Sequence, residues 1–206
     1  MLERVDHIVY VCDHLPTGIQ HITHLFGISP VFSGRHMAWG THNALLSLGG
    51  ECYFEIIAPD PENPIEATIF DFQNKEEDRL LTWVYRPESI QTCYEYGHTI
   101  GIPFGKIQSG SRKKVDGSIL EWNISDLSVT LGNGLIPSLI DWKDTPHPAP
   151  NLPQGCTLKS LKGIHPDAQS IKTKMTKLAI EFELEKGKTP MLLAEIETPN
   201  GLVQLQ

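Results

Sequence analysis

Two side chains able to do chemistry stand inside strand-like, apolar sequence. His7 lies in Val5-Asp6-His7-Ile8-Val9, and Glu55 in Cys52-Tyr53-Phe54-Glu55-Ile56-Ile57. Strand alternation puts His7 on one face with Val5, Val9 and Val11. Glu55 is the only charge in its run. A carboxylate buried without a partner is costly, so Glu55 requires a metal ion, a cation or a hydrogen-bond donor. Together an imidazole and a carboxylate can hold a metal, contact a substrate, move a proton, or form a purely structural pair.

A second group lies between residues 35 and 43. Arg35 can anchor an anionic or carbonyl group, and Trp39 offers a flat apolar wall. Asn43 can donate and accept at once. His36 and His42 flank Trp39-Gly40-Thr41, a segment expected at the rim of a binding site or packed as a hairpin loop. His147 sits among prolines and could fold over a site as a lid. Trp83 and Trp142 occupy strands and suit either a core or a pocket wall; Trp122 reads as core. His21 and His24 lie opposite the Ile19/Ile22/Phe26 stripe of a predicted helix and should face water.

The elements that must carry these residues recur in order. Val5–Cys12 reads as a strand, His14–Gly27 as a helix stopped by Gly27, and three strand-like runs follow. Gly49-Gly50 marks the turn between the last two runs. A proline- and charge-rich connector with a short helix is expected over 59–79. The same β-α-β-β-β order then repeats from Leu80 and again from Thr157. The spacing is roughly 75 residues, a repeat visible in element order and not in identity. The units span approximately 1–58, 80–144 and 156–206. Arg112-Lys113-Lys114 reads as a solvated loop, and Gly132-Asn133-Gly134 as a hairpin turn, since no helix follows it to cradle a phosphate. Four prolines between Thr145 and Gly155 predict an extended linker. The fold class is α+β, with repeated βαβββ units as curved sheets, two of which can enclose a cup.

Composition sets outer bounds. The chain has 206 residues, 40% hydrophobic and 20% charged, as a folded domain requires. A formal charge of -8 argues against a nucleic-acid partner, which needs a basic surface. No apolar run approaches the ~20 residues of a membrane-spanning helix. The first residues enter strand-like sequence at once, without the pattern of a signal peptide. Four scattered cysteines, with no CxxC pair, read as reduced core thiols. A cytoplasmic protein is expected.

Several runs resemble the glyoxalase-like domain family of the vicinal oxygen chelate superfamily. They are Leu2-Glu3-Arg4-Val5-Asp6-His7-Ile8-Val9-Tyr10, the stretch Gly34–Leu46, Tyr53-Phe54-Glu55-Ile56-Ile57-Ala58, and Pro137–Trp142. His147-Pro148-Ala149 and Pro153-Gln154-Gly155-Cys156 continue the likeness, which covers nearly the whole chain. The resemblance implies a cup of paired βαβββ units, usually around a divalent metal that chelates two oxygens of a small substrate. It makes His7 and Glu55 the first- and fourth-strand metal ligands. It also implies a homodimer. The paired unit should supply matching ligands, yet Thr82 and Ser138 stand there, and Lys159 and Gln204 in the third unit. Two functions follow. One is a metal-dependent lyase, isomerase or dioxygenase in which Glu55 moves a proton. The other is a metal-free protein that binds or sequesters a small molecule.

Overall fold

A computed structural model describes residues 2–37, 39–64, 78–113, 119–127 and 131–206, leaving aside the side chains of Arg112 and Lys113. The first unit runs β1 (Val5–Val11), α1 (Leu15–Phe26), β2 (Val31–His36), β3 (Thr41–Ser47) and β4 (Tyr53–Pro59). The second runs β5 (Arg79–Tyr85), α2 (Ile90–Thr99), β6 (Ile107–Lys113), β7 (Ile119–Ser125) and β8 (Ser138–Asp141). These eight strands form one sheet in the order β2-β3-β4-β1-β5-β8-β7-β6. β1 pairs parallel with β4, β5 pairs parallel with β8, and β1 and β5 meet antiparallel at the centre. The two halves are therefore related by an approximate two-fold rotation about the β1/β5 seam, and the curled sheet forms a half-barrel.

Alternation along the strands separates two faces. Ile8, Tyr10, Phe54, Ile56, Trp83 and Leu139 join the larger core on the convex side. Val9, Val11, Leu45, Tyr53, Ile57, Val84, Ile124, Ile140 and Trp142 join a second core on the concave side. α1 lays Ile22 and Phe26 on the convex face and leaves His21 and His24 exposed, as the helical stripe requires. Gly18 fits because a Cβ there would meet Cys12 Sγ at 2.6 Å.

The third segment keeps the β-α-β-β-β order: β9 (Thr157–His165), α3 (Ala168–Lys177), β10 (Glu183–Lys186), β11 (Met191–Thr198) and β12 (Gly201–Leu205). Its sheet order is β10-β9-β11-β12, so β9 pairs with β11 and not with the last strand. This sheet does not continue the half-barrel. It covers the convex face, where Phe182 stacks on Trp83 with ring centroids 4.9 Å apart.

Three local expectations change. Arg112 and Lys113 extend β6 and are not loop. Gly132, Asn133 and Gly134 form one left-handed turn, with φ of 56°, 57° and 85°. A Cβ on Gly134 would collide with the Leu81 carbonyl, so only glycine fits that approach. The proline-rich linker holds a short 3-10 turn, Ala149–Asn151, where proline is tolerated in the first turn. The short helix and the Asp116-Gly117 turn expected from sequence lie outside the described residues.

Candidate functional site

The concave face holds a cavity of about 340 Å³. β1, β3 and β4 supply His7, Asn43, Tyr53 and Glu55 on one side; β2 and its following turn supply Arg35, His36 and Trp39. The opposite wall comes from β6 and β7 with Gln108, Ser109, Ser111, Trp122 and Ile124, and from Trp142 at the end of β8. Pro148 brings the linker to the rim. Seven residues singled out in the sequence thus converge: His7, Arg35, His36, Trp39, Asn43, Glu55 and Trp142.

Three do not line the cavity. Trp83 pairs with Ile8 across the β1/β5 seam and shares its convex face. It is buried, and its Nε1 donates to the Leu135 carbonyl at 3.0 Å. His147 is no lid: it is buried beneath the linker and bonded to Asp6. His42 also points away from the cavity. It packs near Phe32, and burial lowers its pKa below the usual imidazole value.

The centre of the site is a chain of polar contacts. His7 Nδ1 meets Asp6 Oδ1 at 2.7 Å, and His7 Nε2 lies 3.5 Å from Glu55 Oε2. Asn43 Nδ2 donates to Glu55 Oε1 at 2.6 Å. The His7 ring stacks on Tyr53, with centroids 4.4 Å apart and planes 14° from parallel. Asp6 is fully buried and holds three more groups on Oδ2: Trp142 Nε1 donates at 2.8 Å, His147 Nε2 lies at 3.2 Å, and Arg86 Nη1 at 3.7 Å. Burial opposes ionisation of Asp6, but the hydrogen bonds from His147 and His7 outweigh it and hold the carboxyl below its ordinary range.

Asp6 was not singled out by sequence reasoning, because alternation puts it on the face opposite His7. A β-bulge resolves this. Opposite the β5 pair Val84 and Tyr85, β1 spends the three residues Val5, Asp6 and His7. The extra residue switches faces, so Val5 packs with Ile8 and Tyr10 and not, as alternation predicts, with Val9 and Val11. Tyr53 and Trp122 were missed as well; both follow from period-two alternation with Glu55 and Ile124.

Arg35 is committed elsewhere. Its Nη1 bonds Asp60 Oδ1, and its Nη2 lies 2.9 Å from Glu62 Oε1. The Asp60 hydrogen bond raises the guanidinium pKa further. An anion entering the cavity would therefore meet a guanidinium already shared by two carboxylates.

The residues do not fit a divalent metal. His7 and Glu55 are two donors where a catalytic metal takes about three protein ligands. Among the described residues no group of three or more His, Cys, Asp or Glu side chains converges as ligands. On the other half of the seam, the Thr82 hydroxyl donates to the Gly134 carbonyl at 3.2 Å, and Ser138 is buried outside the cavity wall. In the third segment, Lys159 pairs with Glu197 and Gln204 is exposed.

Paired βαβββ units curled around such a cavity make up the vicinal oxygen chelate fold. The chain belongs to the glyoxalase-like domain family, which it matches over residues 5–179. Among solved structures it is similar to a hypothetical protein from Staphylococcus aureus, at 14% identity and a TM-score of 0.70 over 97% of each chain. It is also similar to methylmalonyl-CoA epimerase from Mycobacterium tuberculosis, at 16% identity and a TM-score of 0.44, over 66% of this chain and 86% of that one. A variant of the Streptomyces coelicolor epimerase, in complex with 2-nitronate-propionyl-CoA, gives 13% identity and a TM-score of 0.46 over 66% of this chain and 95% of that one. No curated protein is a significant match.

Proposed function

We propose that this protein is a small-molecule enzyme of the lyase or isomerase type. Glu55 and His7 would exchange a proton with a ligand held in the cavity. The observation that carries this reading is the Asp6–His7–Glu55 chain opening onto the cavity. Asp6 accepts the Nδ1 proton of His7, which fixes the tautomer and aims Nε2 at Glu55. Asn43 orients the Glu55 carboxylate from the other side. A proton taken by Glu55 can then pass to His7, with Asp6 stabilising the imidazolium. No step of this reading runs through a metal.

The test is solvent exchange. Small carbonyl compounds, aminoketones among them, are incubated with the protein in deuterium oxide, and NMR reads deuterium entering at the carbon beside the carbonyl. Exchange is expected with the natural chain and should fall about 100-fold or more in Glu55→Gln, the usual scale of general acid–base catalysis. The mostly apolar wall supports a second reading, a protein that binds and sequesters its ligand. Compounds that bind without any exchange would establish that reading and overturn the first.

A further inference from the structure

We infer that the cavity takes an organic cation, a protonated amine carried on a flat apolar body. The inference rests on the cavity being a small-molecule site and adds the chemical class of its ligand. One acceptor there lacks a close donor. Glu55 lines the cavity, and its Oε2 stands 3.5 Å from His7 Nε2, too long for a good hydrogen bond. A ligand N–H on that oxygen supplies the missing donor.

Charge points the same way. The guanidinium of Arg35 is shared by Asp60 and Glu62, so two carboxylates meet one cation at that rim. The side walls are aromatic: Trp39 on one, Trp122 and Trp142 on the other, the last two with ring centroids 5.6 Å apart. Indole faces attract cations and stack on flat apolar groups, and desolvation strengthens the attraction. A carboxylate ligand would set its charge against Glu55. An ammonium ligand places a donor on Glu55 Oε2 while its apolar body lies between tryptophans.

Three nearly isosteric probes separate the outcomes by calorimetry: phenethylammonium, 2-phenylethanol and 3-phenylpropionate. The ammonium should bind at least 10-fold tighter than the alcohol, and the carboxylate weakest. Glu55→Gln should bring ammonium and alcohol to within about twofold of each other. Should that variant not fold, Trp122→Leu serves, expected to weaken the ammonium at least 5-fold and the alcohol less. Equal affinity for ammonium and alcohol, or tighter binding of the carboxylate, overturns the cation assignment and leaves the cavity reading standing. If none of the three binds, the cavity reading falls and the cation assignment with it.

Discussion

Asp6 is the residue on which the site's order depends. Its two oxygens engage His7, His147 and Trp142, so one carboxylate fixes an imidazole, anchors the linker and places a cavity wall. Asp6→Asn keeps the shape and removes the charge. It should cost about 1.5–3 kcal/mol, the scale of hydrogen bonds to a charged group, and calorimetric or denaturant unfolding reads it. The sign of the pH effect follows from the depressed folded pKa. The stabilisation is complete above the unfolded aspartate value of about 4 and is lost as pH falls from there toward the folded value. Below about pH 4 the natural chain should therefore lose stability more steeply than Asp6→Asn. Parallel acid profiles for the two would show that Asp6 is not the ionised hub. Glu55 was legible in the sequence as a lone charge in an apolar strand, while its place beside His7 came from the family resemblance and rests on the β1/β4 pairing. What sequence could not show is the Glu55 partner Asn43, which arrives through the β3/β4 register.

Edge strand β6 matters at the element scale because it closes the cavity with no neighbour on its outer side among the described residues. Its Gly110 lies against the Trp122 indole, and a Cβ at that position would overlap the ring. Gly110→Ala should push Trp122 into the cavity. The cost in stability is expected at about 1–3 kcal/mol, as for other overpacked sites. Ligand affinity should fall more than that of a distant surface control, and calorimetry with phenethylammonium reads the difference. Unchanged affinity would mean that Trp122 has room to move outward. Element positions were largely legible, since β-branched runs and glycine turns mark most strands within two residues of their observed bounds. β6 and β8 were the exceptions. Apart from Ile107, β6 consists of Gln, Ser, Gly, Arg and Lys, which carry no strand signal, and its pairing with β7 makes it a strand. β8 is shorter than its apolar run, because the left-handed turn at residues 132–134 precedes it.

The whole molecule is two layers, a half-barrel and a smaller sheet against its convex face. Phe182 joins them through its stack on Trp83. Phe182→Ala should cost about 3–5 kcal/mol, as for a large aromatic removed from a core, while affinity for cavity ligands stays unchanged. Loss of ligand binding at temperatures where the variant is still folded would show that the second layer shapes the site. We also propose that two copies associate, because β2 is an unpaired sheet edge among the described residues and carries exposed Val31 and Phe32. Light scattering should then report twice the 23.0 kDa chain mass.

The order of strands and helices, the α1 stripe and the need of Glu55 for a partner follow from local rules: side-chain period, turn residues and the penalty for an isolated buried charge. These act over a few residues and can be read along the chain. The bulge at Asp6, the commitment of Arg35 to Asp60 and Glu62, the turn of Trp83 to the convex face and the separate pairing of β9 with β11 depend on contacts between distant segments. Strand register decides each of them, and a shift of one residue reverses every side chain's face. That register is set by which strands meet, so the composition of the cavity wall was decided only when the chain folded.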